Sequence, residues 1–94
     1  MFILSLTYKV PLDVVDQHLE AHVNWLKAGY AAGMFLASGR KVPRSGGMIF
    51  AKGTRAEVEA CVRLDPFALN GVADYTLIEV NLTMTADGLE GLKD

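Results

Sequence analysis

The chain has 94 residues, of which 51% are hydrophobic and 21% are charged. This length provides for one hydrophobic core and excludes a two-domain organisation, while the hydrophobic content and the net charge of -2 exclude a disordered chain. The same balance, with a pI near 5.6, gives no positive field for a phosphate backbone. We therefore predict a protein that does not bind nucleic acid.

The apolar run at the N-terminus does not resemble a targeting or membrane segment. Residues 1–6 have no basic flank before them and lead directly into Thr7, Tyr8 and Lys9, unlike a signal peptide or a membrane span. The single cysteine, Cys61, cannot form an internal disulfide. These features predict a cytoplasmic protein that does not associate with membranes.

The first half of the chain predicts a strand followed by a helix. Residues 2–9 alternate, with Phe2, Leu4, Leu6 and Tyr8 on one side, which is the period-two pattern of a strand. Residues 11–32 repeat apolar positions every three or four residues, which predicts one continuous helix. Proline near its start and glycine just past its end stand where a helix tolerates them.

The second half predicts two strands, a helix, a single turn and a last strand. Residues 34–38 and 47–52 are the predicted strands, and the loop between them contains glycine and proline. Thr54 and Glu57 form a capping box that begins a helix with the inward positions Val58, Cys61 and Val62. Residues 67–71 predict a turn and residues 75–82 a strand. Residues 1–82 then form one domain, followed by a polar tail, residues 83–94, that we expect to be loosely held.

The resulting order of elements is βαββαβ. This order predicts an α+β, ferredoxin-like fold in which a four-stranded antiparallel sheet carries two helices on one face. The other face then needs a cover for the apolar side chains that are expected to point towards it, namely Ile3, Ile49 or its neighbours, Ile78 and Val80. We therefore predict a homodimer that packs its open sheet faces together.

Two histidines lie on the first predicted helix. His22 stands between Leu19 and Leu26 on the apolar stripe, so it is either a core histidine with one hydrogen-bond partner or a proton donor and acceptor in a pocket. His18 lies four residues earlier, the spacing of two metal-binding histidines on a zincin helix. The remainder of that motif is missing, so we predict no metal site.

The positions of Asp65 and Cys61 in the sequence can each be explained without a catalytic role. Asp65 precedes Pro66, which is the pattern of an N-cap followed by proline in the first helical position. The same carboxylate would hold the imidazole of His22 in one tautomer and favour its charged form if it reached that ring. Cys61 has no basic neighbour in the sequence, which indicates a small buried hydrophobic residue.

The loop between the middle strands concentrates positive charge. Arg40, Lys41 and Arg44 lie within five positions, beside glycines that expose backbone N–H groups. This segment is either a solvated hairpin tip or the mouth of a site for a small anionic ligand. It contains neither glycine-rich phosphate-binding motif, which disfavours a nucleotide ligand.

Together these segments resemble the YCII-related family of small dimeric α+β barrel proteins. The similarity covers residues 1–82 and consists of the helix histidine His22, Ser38-Gly39 at a strand end, Gly46-Gly47 before the third strand, and Asp65-Pro66-Phe67 after the second helix. Residues 70–75 also look like a family segment.

The resemblance implies a dimeric, ferredoxin-like protein that uses His22 and Asp65 as an acid–base pair. Ser38, Gly39, Arg40 and Phe67 are then the expected substrate-binding residues, with Ser38 offering a hydroxyl and Arg40 a bidentate contact to a carboxylate. The expected reaction is a cofactor-independent elimination, isomerisation or dehydrochlorination of a small, anionic organic substrate. A non-catalytic dimeric module that binds a small molecule or a partner stays open as the alternative, as does a purely structural assembly element.

Overall fold

Four antiparallel strands and the helices between them make up the fold. The computed structural model describes residues 1–94. Its elements are β1 (Phe2–Tyr8), α1 (Leu12–Gln17), α2 (Leu19–Ala31), β2 (Phe35–Arg40), β3 (Gly46–Ala51), α3 (Arg55–Arg63), α4 (Pro66–Leu69), β4 (Ala73–Glu79) and a 3-10 turn (Glu90–Leu92). The strands form one sheet in the order β2-β3-β1-β4, with every neighbouring pair antiparallel. The predicted α+β, ferredoxin-like fold is confirmed.

The core lies between one face of the sheet and the helices. On β1 the alternate residues Phe2, Leu4 and Leu6 are buried, as the alternation predicts. Their cross-strand partners share this face, since Leu4 lies opposite Ile49 on β3 and Leu77 on β4. The core comprises twelve buried residues: Phe2, Leu4, Leu6, Val15, Phe35, Ile49, Ala51, Val58, Val62, Phe67, Val72 and Ala73.

The first helix is interrupted, whereas the sequence predicts a continuous one. His18 separates α1 from α2 and has φ -108° and ψ 2°, outside the helical region. Its N–H donates to Val15 three residues back, which closes a tight 3-10 turn, while its carbonyl accepts from His22 and begins the second helix. One non-helical residue leaves the spacing of apolar positions almost unchanged, so the pattern does not reveal the break.

Gly29 allows α2 to approach β2 closely. A Cβ atom built on this buried glycine would lie 2.2 Å from the ring of Phe35. Only the absence of a side chain permits this contact. This contact places α2 directly over the edge strand β2. It therefore sets the distance between the helix and the sheet.

The structure also corrects the bounds of the last strand and decides which residues of β3 face the open side. β4 covers Ala73–Glu79, whereas the alternation predicts residues 75–82. Its register with β1 runs from Ala73 opposite Tyr8 to Glu79 opposite Phe2, and beyond this register only Val80 continues the pairing, through backbone hydrogen bonds to Met1. Ile49 does not belong to the open face. It lies opposite Leu4 and is buried at 2% exposure, so its neighbours Met48 and Phe50 are the residues that alternate to the open face.

The open face of the sheet carries an apolar row. Ile3 lies opposite Phe50 on β3 and Ile78 on β4, and Phe50 lies opposite Ala37 on β2. Phe50 is 36% exposed and Ile78 47% exposed in the single chain. This row, Ala37, Phe50, Ile3 and Ile78, is called the open-face row below.

The C-terminal tail is held more closely than its composition predicts. Lys52 donates from Nζ to the carbonyls of Gly91 and Lys93, both at 2.8 Å. Asp94 accepts from the N–H of Leu82 and pairs with the amino group of Met1 at 2.6 Å. These contacts fold the tail back along the edge of the domain. None of the helices has the length and apolar character needed to cross a membrane.

Candidate active site

A buried histidine and a buried aspartate are hydrogen-bonded to each other. His22 Nδ1 lies 2.8 Å from Asp65 Oδ1, although the residues are 43 positions apart in the chain. His22 is 8% exposed and Asp65 is fully buried. An ionised carboxylate can only accept, so Nδ1 carries the proton in this contact. The other ring nitrogen, Nε2, forms no hydrogen bond with the protein.

The position of Asp65 follows from its role as a helix cap. Its backbone is extended and its Oδ1 accepts from the N–H of Phe67 at 3.0 Å, while Pro66 occupies the first position of α4. The predicted cap is therefore present, and the same oxygen also bonds to His22. The two explanations that the sequence left open for Asp65 do not exclude each other.

The second oxygen of Asp65 is held from the sheet. Tyr75, on β4, donates its hydroxyl proton to Oδ2 in a short hydrogen bond. Burial, reinforced by the negative charge of Asp65, raises the pKa of Tyr75 well above its ordinary value, so the phenol stays protonated and remains a donor. The buried carboxylate is thus satisfied by donors from α2, α4 and β4.

Aromatic rings flank the imidazole of His22. The ring of Phe67 is stacked on it, with centroids 3.9 Å apart and an angle of 5° between the planes. Trp25 lies next to it at 5.5 Å and 29°. The indole N–H of Trp25 donates to the carbonyl of Cys61 at 3.0 Å, which fixes the indole. These contacts restrict the imidazole to one orientation.

Cys61 is the remaining titratable group beside Asp65. It is half-buried, which agrees only in part with the predicted inward position, whereas Val58 and Val62 are buried. Burial raises the pKa of its thiol, and the charge of Asp65 raises it further. The thiol is therefore neutral at physiological pH and contributes no charge to the pair.

A cavity of about 210 Å³ opens beside His22, between α2 and the β2–β3 end of the sheet. Most of its wall is apolar, with Leu19, Val23 and Leu26 on the helix side. The lining residues are Leu6, Tyr8, Leu19, His22, Val23, Leu26, Ser38, Gly39, Arg40, Gly46, Gly47, Met48, Ile49 and Phe67. A Cβ on Gly46 would lie 1.9 Å from the carbonyl oxygen of Leu6, so only glycine fits this part of the wall.

The polar groups of the cavity come mainly from β2. Ser38 Oγ lies 2.7 Å from the hydroxyl of Tyr30 on α2. The side chain of Arg40 forms no hydrogen bond or ion pair with the protein, although its backbone pairs with Gly47 in the sheet. The other basic residues of the loop are engaged, since Lys41 donates to Thr7 at 3.2 Å and Arg44 pairs with Asp16 at 2.6 Å. Arg40 is therefore the basic residue that lines the cavity and whose side chain has no partner in the protein.

All six site residues predicted from the sequence line this cavity or lie directly behind it. Ser38, Gly39, Arg40, Phe67 and His22 are among the lining residues, and Asp65 contacts His22 from behind. His18 is not part of the lining, and no three His, Cys, Asp or Glu side chains form a group that could hold a metal ion.

The sequence interpretation missed Tyr75 and the hydrogen bond between Tyr30 and Ser38. The sequence places Tyr75 in a strand and in the family-like segment 70–75 but gives it no role, although its pairing with Leu6 puts it on the helix-facing side. Once the strands are paired, the register shows which face each residue lies on. A polar side chain on an otherwise apolar face is then the signal that identifies such a residue. Tyr30 gives no comparable signal, because it is an exposed residue of α2 and does not stand out on a buried face.

The sequence around this site also matches a known protein family. Residues 1–81 match the YCII-related domain. The chain belongs to the YCII-related family. The resemblance inferred from His22, Ser38-Gly39 and Asp65-Pro66-Phe67 is thus confirmed at the level of the family.

This YCII-related protein also has a solved structural neighbour. It is 5-chloro-2-hydroxyhydroquinone dehydrochlorinase (TftG) from Burkholderia phenoliruptrix AC1100, in complex with 2,5-dihydroxybenzoquinone. The TM-score is 0.70 with 19% sequence identity, and the likeness covers 85% of this chain and 93% of the neighbour. At that identity the likeness shows a shared fold. No curated protein matches the chain.

Proposed function

We propose that this YCII-related protein is a cofactor-independent enzyme in which His22 and Asp65 carry out general acid–base chemistry. The observation that carries the proposal is the hydrogen bond between His22 Nδ1 and Asp65 Oδ1 at the wall of a cavity. With Nδ1 protonated, Nε2 has a free lone pair and can take a proton from a bound substrate. Asp65 stabilises the imidazolium that forms, as the carboxylate of a catalytic triad does.

The reaction class is an elimination or an isomerisation of a small organic molecule. In an elimination, Nε2 of His22 receives the proton, the electron pair of the broken bond forms a double bond, and the leaving group departs with its own electron pair. Loss of hydrogen chloride is one such case, and the structural neighbour is described as a dehydrochlorinase. In an isomerisation, the same nitrogen returns the proton to a different atom of the substrate.

The substrate class follows from the cavity. A volume of about 210 Å³ suits a molecule with a single small ring, and the apolar helix side of the cavity suits its hydrocarbon part. Arg40 offers an unpaired guanidinium for a carboxylate or phenolate oxygen, and Ser38 offers a hydroxyl. We therefore propose a small cyclic acid, a phenol or a lactone that carries a carboxylate as substrate, with its ionised group towards Arg40.

The experiment is a screen for turnover that depends on His22. Wild-type protein is incubated with small ring acids, lactones and 5-chloro-2-hydroxyhydroquinone, and product or released chloride is measured. His22→Gln is expected to lose about 10²–10⁴-fold in turnover. His18→Gln is the matched control, because it removes a histidine of the same helix region that does not line the cavity, and it should retain activity. Equal turnover in wild type and His22→Gln would refute the mechanism.

The binding-module alternative gives a different result in the same screen. It requires ligands to bind in the cavity with no turnover in the wild type, and with affinity unchanged in His22→Gln. The close contact between the imidazole and the carboxylate, next to a cavity, favours the enzyme, because a simple binding module does not need this pair.

We also propose that the protein is a homodimer joined through the open-face row. Phe50 and Ile78 are partly exposed in the single chain, and burial of such side chains against a second copy removes apolar surface from water. Phe50→Glu is expected to yield a monomer in sedimentation experiments. Ala60→Glu, on the exposed surface of α3, is the control and should leave the dimer intact. A wild-type monomer at high concentration would refute this proposal.

A further inference from the structure

The two oxygens of Asp65 have different partners. Oδ1 accepts from His22 Nδ1 and from the N–H of Phe67, whereas Oδ2 accepts only from the hydroxyl of Tyr75. The oxygens of an isolated carboxylate are equivalent, so the surrounding donors decide which one faces the histidine. The orientation of the carboxylate therefore depends on the group that holds Oδ2.

We propose that Tyr75 is a positioning residue of the candidate active site, whose hydroxyl holds Oδ2 of Asp65 so that Oδ1 is presented to His22. This inference rests on the proposed function, in which the contact between Asp65 and His22 selects the imidazole tautomer. Tyr75 does not line the cavity, so it acts through Asp65 and not on the substrate.

The surroundings of Tyr75 suit this role. Its place on β4 is set by pairing with Leu6 on β1, so the ring lies on the helix-facing side of this edge strand. The edge of the ring also contacts Trp25, with centroids 6.4 Å apart. Because Tyr75 and Cys61 both have raised pKa values, the phenol remains a donor and the nearby thiol stays neutral. No other side chain of the protein competes with Tyr75 for Oδ2.

Loss of this hydroxyl would leave a buried carboxylate oxygen without a partner. Such an oxygen is costly, and the carboxylate can relieve the cost by rotating or by taking up a proton. Either response weakens its contact with Nδ1 of His22. Without this partner the ring of His22 can carry its proton on either nitrogen. The tautomer that leaves Nε2 unprotonated is then no longer favoured.

The test is Tyr75→Phe, which removes the hydroxyl and keeps the ring. Nitrogen-15 NMR of the labelled protein reports the tautomer of each neutral histidine, and His18 serves as the internal reference. In the wild type we expect His22 to have its proton on Nδ1. In Tyr75→Phe a substantial population with the proton on Nε2 is expected, while His18 is unchanged. Wild-type tautomer populations in a folded Tyr75→Phe protein would overturn the inference.

Two further variants separate positioning from general destabilisation. Leu77→Val perturbs packing on the same face of β4 without removing a polar group, so it should leave the tautomer of His22 unchanged. A shift as large as that of Tyr75→Phe would mean that loss of packing suffices, and the inference would fail. Asp65→Ser removes the carboxylate and keeps a capping oxygen, so it should shift the tautomer fully.

Asp65→Ser also distinguishes failure of this inference from failure of the proposed function. A shift in Asp65→Ser without one in Tyr75→Phe refutes the role of Tyr75 alone. No shift in either variant refutes the pairing of His22 with Asp65, and with it the proposed acid–base mechanism. Both tautomer measurements are made on the protein without a substrate.

Incorporation of 3-fluorotyrosine provides a second test that does not depend on the folding of Tyr75→Phe. The fluorine makes the hydroxyl a stronger donor, which leaves Asp65 a weaker acceptor for His22, so the Nδ1 proton resonance of His22 should move upfield. An unchanged resonance contradicts the inference. Once a substrate is known, Tyr75→Phe should lower kcat by about tenfold, a part of the general acid–base contribution, and leave KM unchanged.

Discussion

The rings of His22 and Phe67 lie face to face, with centroids 3.9 Å apart and planes 5° from parallel. Phe67 also supplies the N–H that Asp65 caps, so one residue contacts both members of the pair through different groups. Its side chain packs on the imidazole while its backbone orients the carboxylate. The first helical turn after the cap therefore contributes to the geometry of the site as well as to the local fold.

Phe67→Leu should separate these two contributions. The backbone N–H and the cap remain, but the stacked ring is lost, and we expect a loss of about 1–2 kcal/mol in the free energy of unfolding. The ring protons of His22 should move downfield in NMR spectra because the ring current of Phe67 is gone. Phe2→Leu, at another buried phenylalanine with no contact to His22, should cost similar stability and leave those resonances in place. Identical spectra for both variants would contradict the stacked arrangement.

Asp65→Ala and Asp65→Ser should differ in stability but not in activity. Serine keeps an oxygen for the N–H of Phe67, so we expect it to be more stable than alanine by about 1 kcal/mol in urea unfolding. Neither side chain reaches His22 with a carboxylate, so both should lose the activity to the same extent. The matched pair is Thr54→Ala and Thr54→Ser at the cap of α3, where Thr54 accepts from Glu57 at 3.2 Å. If Asp65→Ser kept its activity and Asp65→Ala lost it, Asp65 would serve only as the cap of α4.

The stability of the protein should fall at alkaline pH because of Tyr75. Burial and the charge of Asp65 raise the pKa of Tyr75 in the folded state. The stability that the protonated phenol contributes is therefore fully present below about pH 10, the ordinary tyrosine value, and is lost as the pH rises further. We expect about 1.4 kcal/mol of stability to be lost per pH unit in that range. Urea unfolding of wild type and Tyr75→Phe between pH 8 and 11 measures this. The difference between the two proteins should narrow as the pH rises, and parallel curves would exclude the buried phenol.

Arg40→Gln should weaken substrate binding more than it slows the chemical step. The guanidinium has no protein partner, so its loss leaves no buried group unsatisfied and should not alter stability. Charged hydrogen bonds contribute about 1.5–3 kcal/mol, which predicts a rise in KM of about 10–100-fold for an anionic substrate. Arg63→Gln, at the exposed end of α3, is the control. A fall in kcat at constant KM would place the anionic group elsewhere.

Local patterns predicted much of this fold because they encode interactions between near neighbours. The alternation in β1, the cap at Thr54 and the cap at Asp65 each involve residues within a few positions of one another. The break at His18 was not predictable, because a single non-helical residue hardly changes the spacing of apolar side chains. The burial of Ile49 depends on the register with β1, which no segment of β3 specifies alone.

The candidate site was predictable only in its components. His22 and Asp65 were identified as residues of the right chemical type, but the 43 positions between them leave their distance undetermined by any local pattern. The hydroxyl of Tyr75 reaches Asp65 because α4 packs near β4, which is a property of the assembled core. The family resemblance supplied the pairing of the histidine with the aspartate and gave no role to the tyrosine.

Trp25 is the only tryptophan of the chain, and it lies beside the imidazole of His22. Its emission is therefore an intrinsic optical reporter of this one site. Protonation of the neighbouring ring, or displacement of water from the cavity by a ligand, should change its intensity without any added label. Compounds can thus be screened by fluorescence titration of the unmodified protein before any reaction has been identified, and those that perturb the signal become the first substrates to assay.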